Sequence, residues 1–355
     1  MIRYIKALVA AWRLVHLNAD IKGDLNAVNI DLERVHPVVT VELSLESAQP
    51  GLQSLFWADR KGHAVVDVSI NQLSGVAKLK VEKNLGLGLE TIETPWLSGW
   101  LGEKPEDFGF DKYRNVIMPN GTTAWETARS SDHWVIHIHG RKAARAEALR
   151  NIRQFDELRF KQLFISHESD RAPDGLGKAR SDLGATEWKQ VESVVNYAAN
   201  QGAKHIILFG WSLGAMFAGQ FVLKSEFKHL VSALIFDSPL IDYESTLRLQ
   251  AQLAGFDKDF GSYVFRLLQN SKLLWLLGIR QRLIPSLIER LEKPTLFLYS
   301  KSDGFVAMDK VGDFVALNPL STVVEFDDAR HCRLFNKDSK RYQAAIARFV
   351  SSIEL

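Results

Sequence analysis

Hydrophobic positions along the chain change their rhythm near residue 106. Before it, 38–43 (VVTVEL), 63–70 (HAVVDVSI) and 76–81 (VAKLKV) alternate apolar with polar residues or run β-branched, as strands do. Turns carrying Gly, Pro or Asn separate them. Residues 1–105 therefore read as an N-terminal helix plus a small β-rich accessory region. From 106 to 355 short apolar runs alternate with helix-like segments. A hairpin, 113–118 and 122–128, turns on Asn120-Gly121, a pair suited to the positive φ of a tight turn. Strands are predicted at 133–139, 162–166, 205–209, 231–236, 295–299 and 322–326. Helices are predicted at 142–155, 186–199, 213–223, 307–316 and 339–353, with a helical insertion at about 242–291 forming a short cap. Apolar runs without alternation are the mark of strands covered on both faces. The pattern predicts an α/β architecture: an eight-stranded, mostly parallel sheet with helices on both faces.

At the N-terminus Ile2, Ile5, Leu8, Val9, Trp12 and Val15 recur at helical spacing, with Arg3, Lys6 and Arg13 among them. A helix packed on its own domain is the ordinary expectation for such a pattern. The competing reading is a basic amphipathic helix lying on an anionic membrane surface. The uncharged stretch 7–12 is too short to cross a bilayer, and no small-residue cleavage site follows it. The uncharged run 206–223 is broken by Gly210, Gly214 and Gly219, and a buried strand, turn and helix explain it better than a membrane span.

A net charge of +2 gives no reason to expect nucleic acid as a partner. Cys332 is the single cysteine, which rules out an intrachain disulfide and a thiolate zinc site. That fits a reducing compartment, so a cytoplasmic location is expected, with peripheral membrane association as the alternative. No H-E-x-x-H, Walker-type loop or dinucleotide glycine fingerprint occurs, so neither metal nor cofactor is expected.

The candidate chemistry centres on Gly210-Trp211-Ser212-Leu213-Gly214, a match to G-x-S-x-G. Chance alone supplies ~0.1 such matches in a chain this long. Its context gives it weight, because a predicted strand precedes it and a predicted helix follows. A serine on that sharp turn stands clear of the sheet edge, and the next residue's N–H faces the oxyanion that forms on attack. Ser212 is thus the candidate nucleophile and the Leu213 N–H a candidate oxyanion donor. A serine hydroxyl needs a base held by an acid. Asp303 follows the predicted strand 295–299 and His331 follows 322–326, so both arise at the sheet edge where Ser212 points. His137, His139, His205 and His229 sit on or beside strands and are weaker candidates for the base. Asp237, at the end of 231–236, remains open as an alternative acid. His139-Gly140-Arg141 ends the strand 133–139, which makes the Arg141 main-chain N–H the second candidate oxyanion donor. The Arg141 side chain would bind a substrate carboxylate or phosphate, or pair with a nearby acid.

These residues resemble the α/β-hydrolases related to serine aminopeptidases and proline iminopeptidases, in particular an actinobacterial branch. The resemblance lies in WVIHIHGRKAARAEALR, in the stretch DGLGKARSDLGATEWKQ leading toward the serine, and in RHCRLFNKDSKRYQAAIARFV. It implies the α/β-hydrolase fold, with Ser212, Asp303 and His331 as nucleophile, acid and base and with Leu213 and Arg141 as oxyanion donors. Asp303 stands in Ser-Lys-Ser-Asp-Gly where relatives carry His-Gly-x-x-Asp, and Ala-Arg precedes His331 where they carry a glycine.

The function expected is hydrolysis of a small-molecule ester or amide through an acyl-enzyme on Ser212, with esterase activity favoured over peptidase activity. Acyl transfer by the same triad and a non-catalytic binding protein on the same scaffold are the alternatives. Apolar cap residues such as Leu247, Leu253, Phe256, Phe260, Phe265, Trp275 and Leu277 could line an acyl pocket or form the cap's own core.

Overall fold

The computed structural model describes residues 2–353 apart from 17–24, 45–46, 171–173, 178–179 and 277–283. Part of the predicted cap, including Leu277, lies outside the described residues.

Helix α1 (Ile2–Val15) leads into a six-stranded antiparallel sheet built wholly before residue 106. Its strands are β1 (Ala27–Asp31), β2 (Val38–Glu42), β3 (Gly51–Trp57), β4 (Gly62–Asn71), β5 (Val76–Asn84) and β6 (Trp96–Ser98), in the order β1-β2-β5-β4-β3-β6. Sequence patterning found β2, β4 and β5 but not β1, β3 or β6. In β3 the reason is visible: Gln53 and Ser54 are buried among apolar neighbours, and Ser54 Oγ is satisfied 2.8 Å from His63 Nε2. A strand with polar residues on both faces carries no alternating signal.

The larger sheet follows. It comprises β7 (Tyr113–Ile117), β8 (Thr123–Thr127), β9 (His133–Ile138), β10 (Lys161–Ile165), β11 (His205–Trp211), β12 (Val231–Asp237), β13 (Thr295–Tyr299) and β14 (Ser321–Glu325). Their order is β14-β13-β12-β11-β9-β10-β8-β7. The β7–β8 and β8–β10 pairs are antiparallel and the rest parallel. The helices of this part are α2 (Ile152–Glu157), α3 (Trp188–Asn200), α4 (Leu213–Lys224), α5 (Tyr243–Leu253), α6 (Lys258–Asn270), α7 (Lys272–Leu276), α8 (Val311–Leu317), α9 (Leu334–Lys337) and α10 (Ser339–Ser352).

Alternate residues of one strand feed two cores, which explains why the strands read as unbroken apolar runs. Ile206 and Leu208 of β11 join α3, α4 and the cap through Val191, Val195, Ala215 and Phe221. Ile207, Phe209 and Trp211 join α2 and α10 through Phe155, Tyr342, Ile346 and Phe349. Helices thus cover both faces of the sheet. Each fully buried aromatic or aliphatic side chain contributes ~1.5–3 kcal/mol.

Three predicted helices are corrected. The segment 142–155 enters through Lys142 at φ 60° and a 3₁₀ stretch, Arg145–Asn151, before α2 begins. Arg150 and Asn151 are buried there, so the polar residues face inward and an ordinary amphipathic helix is excluded. The helix predicted from 307 starts at Val311, because the preceding backbone wraps the Asp303 carboxylate. In the cap α5, α6 and α7 are helical, but 284–291 is irregular. Leu247, Phe260, Val264 and Leu268 of the cap belong to the same buried core as α4, so that part of the apolar stripe is packing.

The small sheet is fastened behind the histidine segment. Asn336 Nδ2 donates to the carbonyls of Leu52 at 2.5 Å and Gly99 at 3.1 Å, and its Oδ1 accepts from Arg150 at 3.2 Å. Helix α1 packs against α6, with Ala7, Ala11 and Val15 buried. Of the apolar residues that recur at helical spacing, Leu8 and Val15 pack inward as expected, whereas Ile2, Ile5, Val9 and Trp12 face outward.

Candidate active site

The turn between β11 and α4 is built by glycines. A methyl group at Gly210 would run into the backbone of Ala215, and one at Gly214 into the carbonyl oxygen of Ile138 on β9. Only glycine lets α4 start directly against the sheet. Gly214→Ala is therefore expected to lower stability by at least about 2 kcal/mol, because a main-chain carbonyl must move. Thermal denaturation reads this, and an unchanged Tm would contradict the close approach.

Ser212 itself lies at φ 52°, ψ −116°, a costly conformation for a residue with a Cβ. It is held by its neighbours: its N–H donates to the Asp237 carbonyl at 3.0 Å, and its own carbonyl accepts from Leu240 at 3.1 Å. Strain of this kind aims one side chain. The Oγ of Ser212 stands 2.8 Å from His331 Nε2. On the far side of the ring, His331 Nδ1 stands 2.9 Å from Asp303 Oδ2. Asp303 Oδ1 accepts from the N–H groups of Phe305 at 3.0 Å and Val306 at 2.8 Å. The main chain closes the arrangement, since the His331 N–H donates to the Asp303 carbonyl at 3.1 Å. Burial pulls the His331 imidazolium down, but the Asp303 carboxylate outweighs it and holds the ring's pKa above the usual value. Phe305 covers one side of the imidazole with ring centres 4.9 Å apart.

Asp237 occupies a different place. Its carboxylate accepts from Ser238 Oγ at 2.8 Å and Tyr342 Oη at 2.7 Å. Burial pushes its pKa above the usual carboxylate range, partly offset by the Arg150 guanidinium. Its backbone carbonyl, and not its carboxylate, accepts from Ser212 N–H.

The loop after β9 lies against Ser212: a Cβ at Gly140 would be 3.0 Å from the serine Cβ. Leu213 opens α4, so its N–H has no carbonyl one turn back within the helix. The Arg141 guanidinium is not paired with an acidic side chain among the described residues. It donates to the carbonyls of Arg13 and Leu14 at 2.8 Å each, capping the end of α1.

Behind this loop sits a cluster that the sequence reading did not assign. His139 Nδ1 is 2.9 Å from the Gly140 carbonyl, and its Nε2 is 2.9 Å from Asp170 Oδ2. The Gly140 carbonyl accepts the Nδ1 proton, and the Asp170 carboxylate favours a second proton on Nε2. Burial lowers its pKa, but the Asp170 carboxylate raises it more. The His139-Gly dipeptide at the end of a strand was the available signal. Its partner Asp170, 31 positions on, was not findable from spacing. Cys332, next to His331, is a buried free thiol whose pKa burial raises well above its usual value. That argues against a reactive thiolate.

Among the described residues no group of acidic, histidine or cysteine side chains could hold a metal ion.

No family model matches the sequence, and no curated protein does. Solved structures do match. An esterase of Pyrococcus furiosus superposes with TM-score 0.54 at 19% identity, covering 71% of this chain and 96% of its own. A proline iminopeptidase-related protein of Thermus thermophilus gives TM-score 0.50 at 11% identity, covering 68% and 98%. At such identities the likeness concerns the path of the chain. With its mostly parallel eight-stranded sheet covered by helices on both faces, the chain has the α/β-hydrolase fold.

Proposed function

We propose that the protein is a serine hydrolase that cleaves an ester of a small acyl group through an acyl-enzyme on Ser212. The observation that carries this is the relay Asp303–His331–Ser212, with contacts of 2.9 and 2.8 Å, ending on a serine in strained backbone. Ser212 Oγ attacks the carbonyl carbon as His331 Nε2 takes its proton, and the carbonyl electrons move onto oxygen. The N–H groups of Leu213 and Arg141 receive that oxyanion, each donor worth about 2.7–4 kcal/mol. Collapse expels the alcohol, which takes the proton from His331. Water, deprotonated by the same ring, then releases the acid and restores Ser212. Asp303 keeps the Nδ1 proton in place and stabilises the imidazolium.

Ester is favoured over peptide because two of the cap's carboxylates are already engaged as helix caps rather than set to receive a free amine. Asp242 accepts from Ser245 N and Asp257 from Phe260 N. The fold is also one that an esterase of Pyrococcus furiosus uses. Purified protein is expected to turn over p-nitrophenyl acetate and butyrate, and to leave alanyl and prolyl p-nitroanilides intact. Release of p-nitroaniline at the greater rate would replace the esterase reading with an aminopeptidase.

A further inference from the structure

The outward face of α1 is unaccounted for by packing. Ile2, Ile5, Val9 and Trp12 are 72%, 53%, 45% and 37% exposed. Scattered exposed apolar residues are ordinary, but these four follow one another at intervals of three and four and so form a single stripe along the helix. The opposite face is already spent, with Ala7 and Ala11 fully buried against the cap. Ala7, Ala11 and Val15, with Leu8 and Leu14 beside them, already give α1 a packed apolar face, so the exposed stripe is a second apolar face that folding leaves in water.

We propose that α1 is an interfacial helix that docks this stripe on an anionic phospholipid bilayer. The charge on the helix chooses this partner. Arg3, Lys6 and Arg13 flank the stripe, and α1 contains no acidic residue. A second copy brought face to face would set cations against cations, whereas anionic headgroups neutralise them. Trp12 suits the boundary between headgroups and acyl chains, where an amphipathic ring is at home. Lys6 Nζ lies 5.3 Å from the centre of the Phe256 ring and the Arg3 guanidinium 5.9 Å from that of Phe260, contacts that leave both cations at the surface. Arg3 is engaged by Asp257 at 2.9 Å, but both side chains are more than half exposed, so that pair holds little. Among the described residues no helix is long and apolar enough to cross a membrane, so the helix lies on the surface.

The docked helix is fastened to the reaction centre. Its last carbonyls, those of Arg13 and Leu14, hold the guanidinium of Arg141, whose neighbour Gly140 lies against Ser212.

Co-sedimentation of the full chain with phosphatidylcholine vesicles, with and without phosphatidylglycerol, tests the docking itself. The anionic vesicles are expected to bind at least about tenfold more protein, and high salt to abolish most of the difference. Val9→Glu places a carboxylate on the stripe without touching the packed face and should cut binding about tenfold. Ser212→Ala should bind as the wild type does, so loss of docking and loss of catalysis are read separately. Equal binding to neutral and anionic vesicles would overturn the proposal, as would wild-type binding by a folded Val9→Glu. A dimer in sedimentation velocity that fails to bind vesicles would overturn it in favour of a second copy as the occupant.

Discussion

Ser212→Ala is expected to lower kcat for p-nitrophenyl acetate by about a million-fold, leaving the residual rate that a bound, polarised ester shows beside an oxyanion hole. The change removes one oxygen atom. That atom's side-chain contact is with His331, at 2.8 Å, so the fold has little to lose. Alanine is as strained as serine at φ 52°, and the backbone bonds to Asp237 and Leu240 that hold the turn are untouched. Circular dichroism and Tm should therefore match the wild type. A fluorophosphonate probe should add its phosphonyl group to Ser212 of the wild type and leave the variant unmodified, as peptide mass mapping will show. A variant within tenfold of wild type would mean that another residue or plain solvent does the chemistry, and the acyl-enzyme reading would fall.

How much of this was legible beforehand differs from residue to residue. The serine turn announced itself because its constraints are local: Gly210 and Gly214 are needed within five positions of sequence, where a methyl would strike backbone. The sheet was legible because two-sided burial leaves unbroken apolar runs. The acid was not decided, because Asp303 and Asp237 both end strands at the same sheet edge. Which carboxylate meets His331 depends on side-chain direction, and that is set by the N–H groups of Phe305 and Val306 on one side and by Ser238 and Tyr342 on the other. Tyr342 lies on α10, over a hundred positions from Asp237, and no spacing rule reaches that far. Helix α1 packs on its own domain as expected, with Leu8 and Val15 inward, but Ile2, Ile5, Val9 and Trp12 are not on the packed face, for a related reason. Hydropathy ranks isoleucine and tryptophan above alanine, while close packing against α6 rewards the small residues Ala7 and Ala11. The partner that Arg141 has within the chain was not legible, because its formal charge points to an anion while carbonyls at a helix C-terminus serve a guanidinium as well.

Asp303→Asn and Asp237→Asn should separate the two carboxylates by function. In Asp303→Asn the side-chain oxygen is expected to stay at the Oδ1 position, where the N–H groups of Phe305 and Val306 donate to it at 3.0 and 2.8 Å. The amide nitrogen then takes the Oδ2 position, 2.9 Å from His331 Nδ1. An amide N–H there donates to Nδ1, so the ring's proton moves to Nε2 and points at Ser212. A ring in that tautomer cannot accept the serine proton, and kcat should fall about 10⁴-fold with geometry preserved. The pH profile gives a second reading. The wild type needs His331 neutral, so its rate falls as pH drops through a pKa that Asp303 holds above the usual histidine value. Without that carboxylate, burial remains as the main influence and pulls the pKa down, so the acidic limb should move to lower pH. Asp237→Asn should have the smaller effect on both counts. It weakens the acceptor for Ser238 and Tyr342 and removes a charge that faces Arg150, at a cost of about 1–3 kcal/mol in stability. Its kcat should stay within a few-fold of wild type, and its acidic limb should move less than in Asp303→Asn, because Asp237 raises the His331 pKa less than Asp303 does. If Asp237→Asn proved the inactive, fully folded variant and Asp303→Asn the merely destabilised one, the relay through Asp303 would have to be abandoned for one through Asp237.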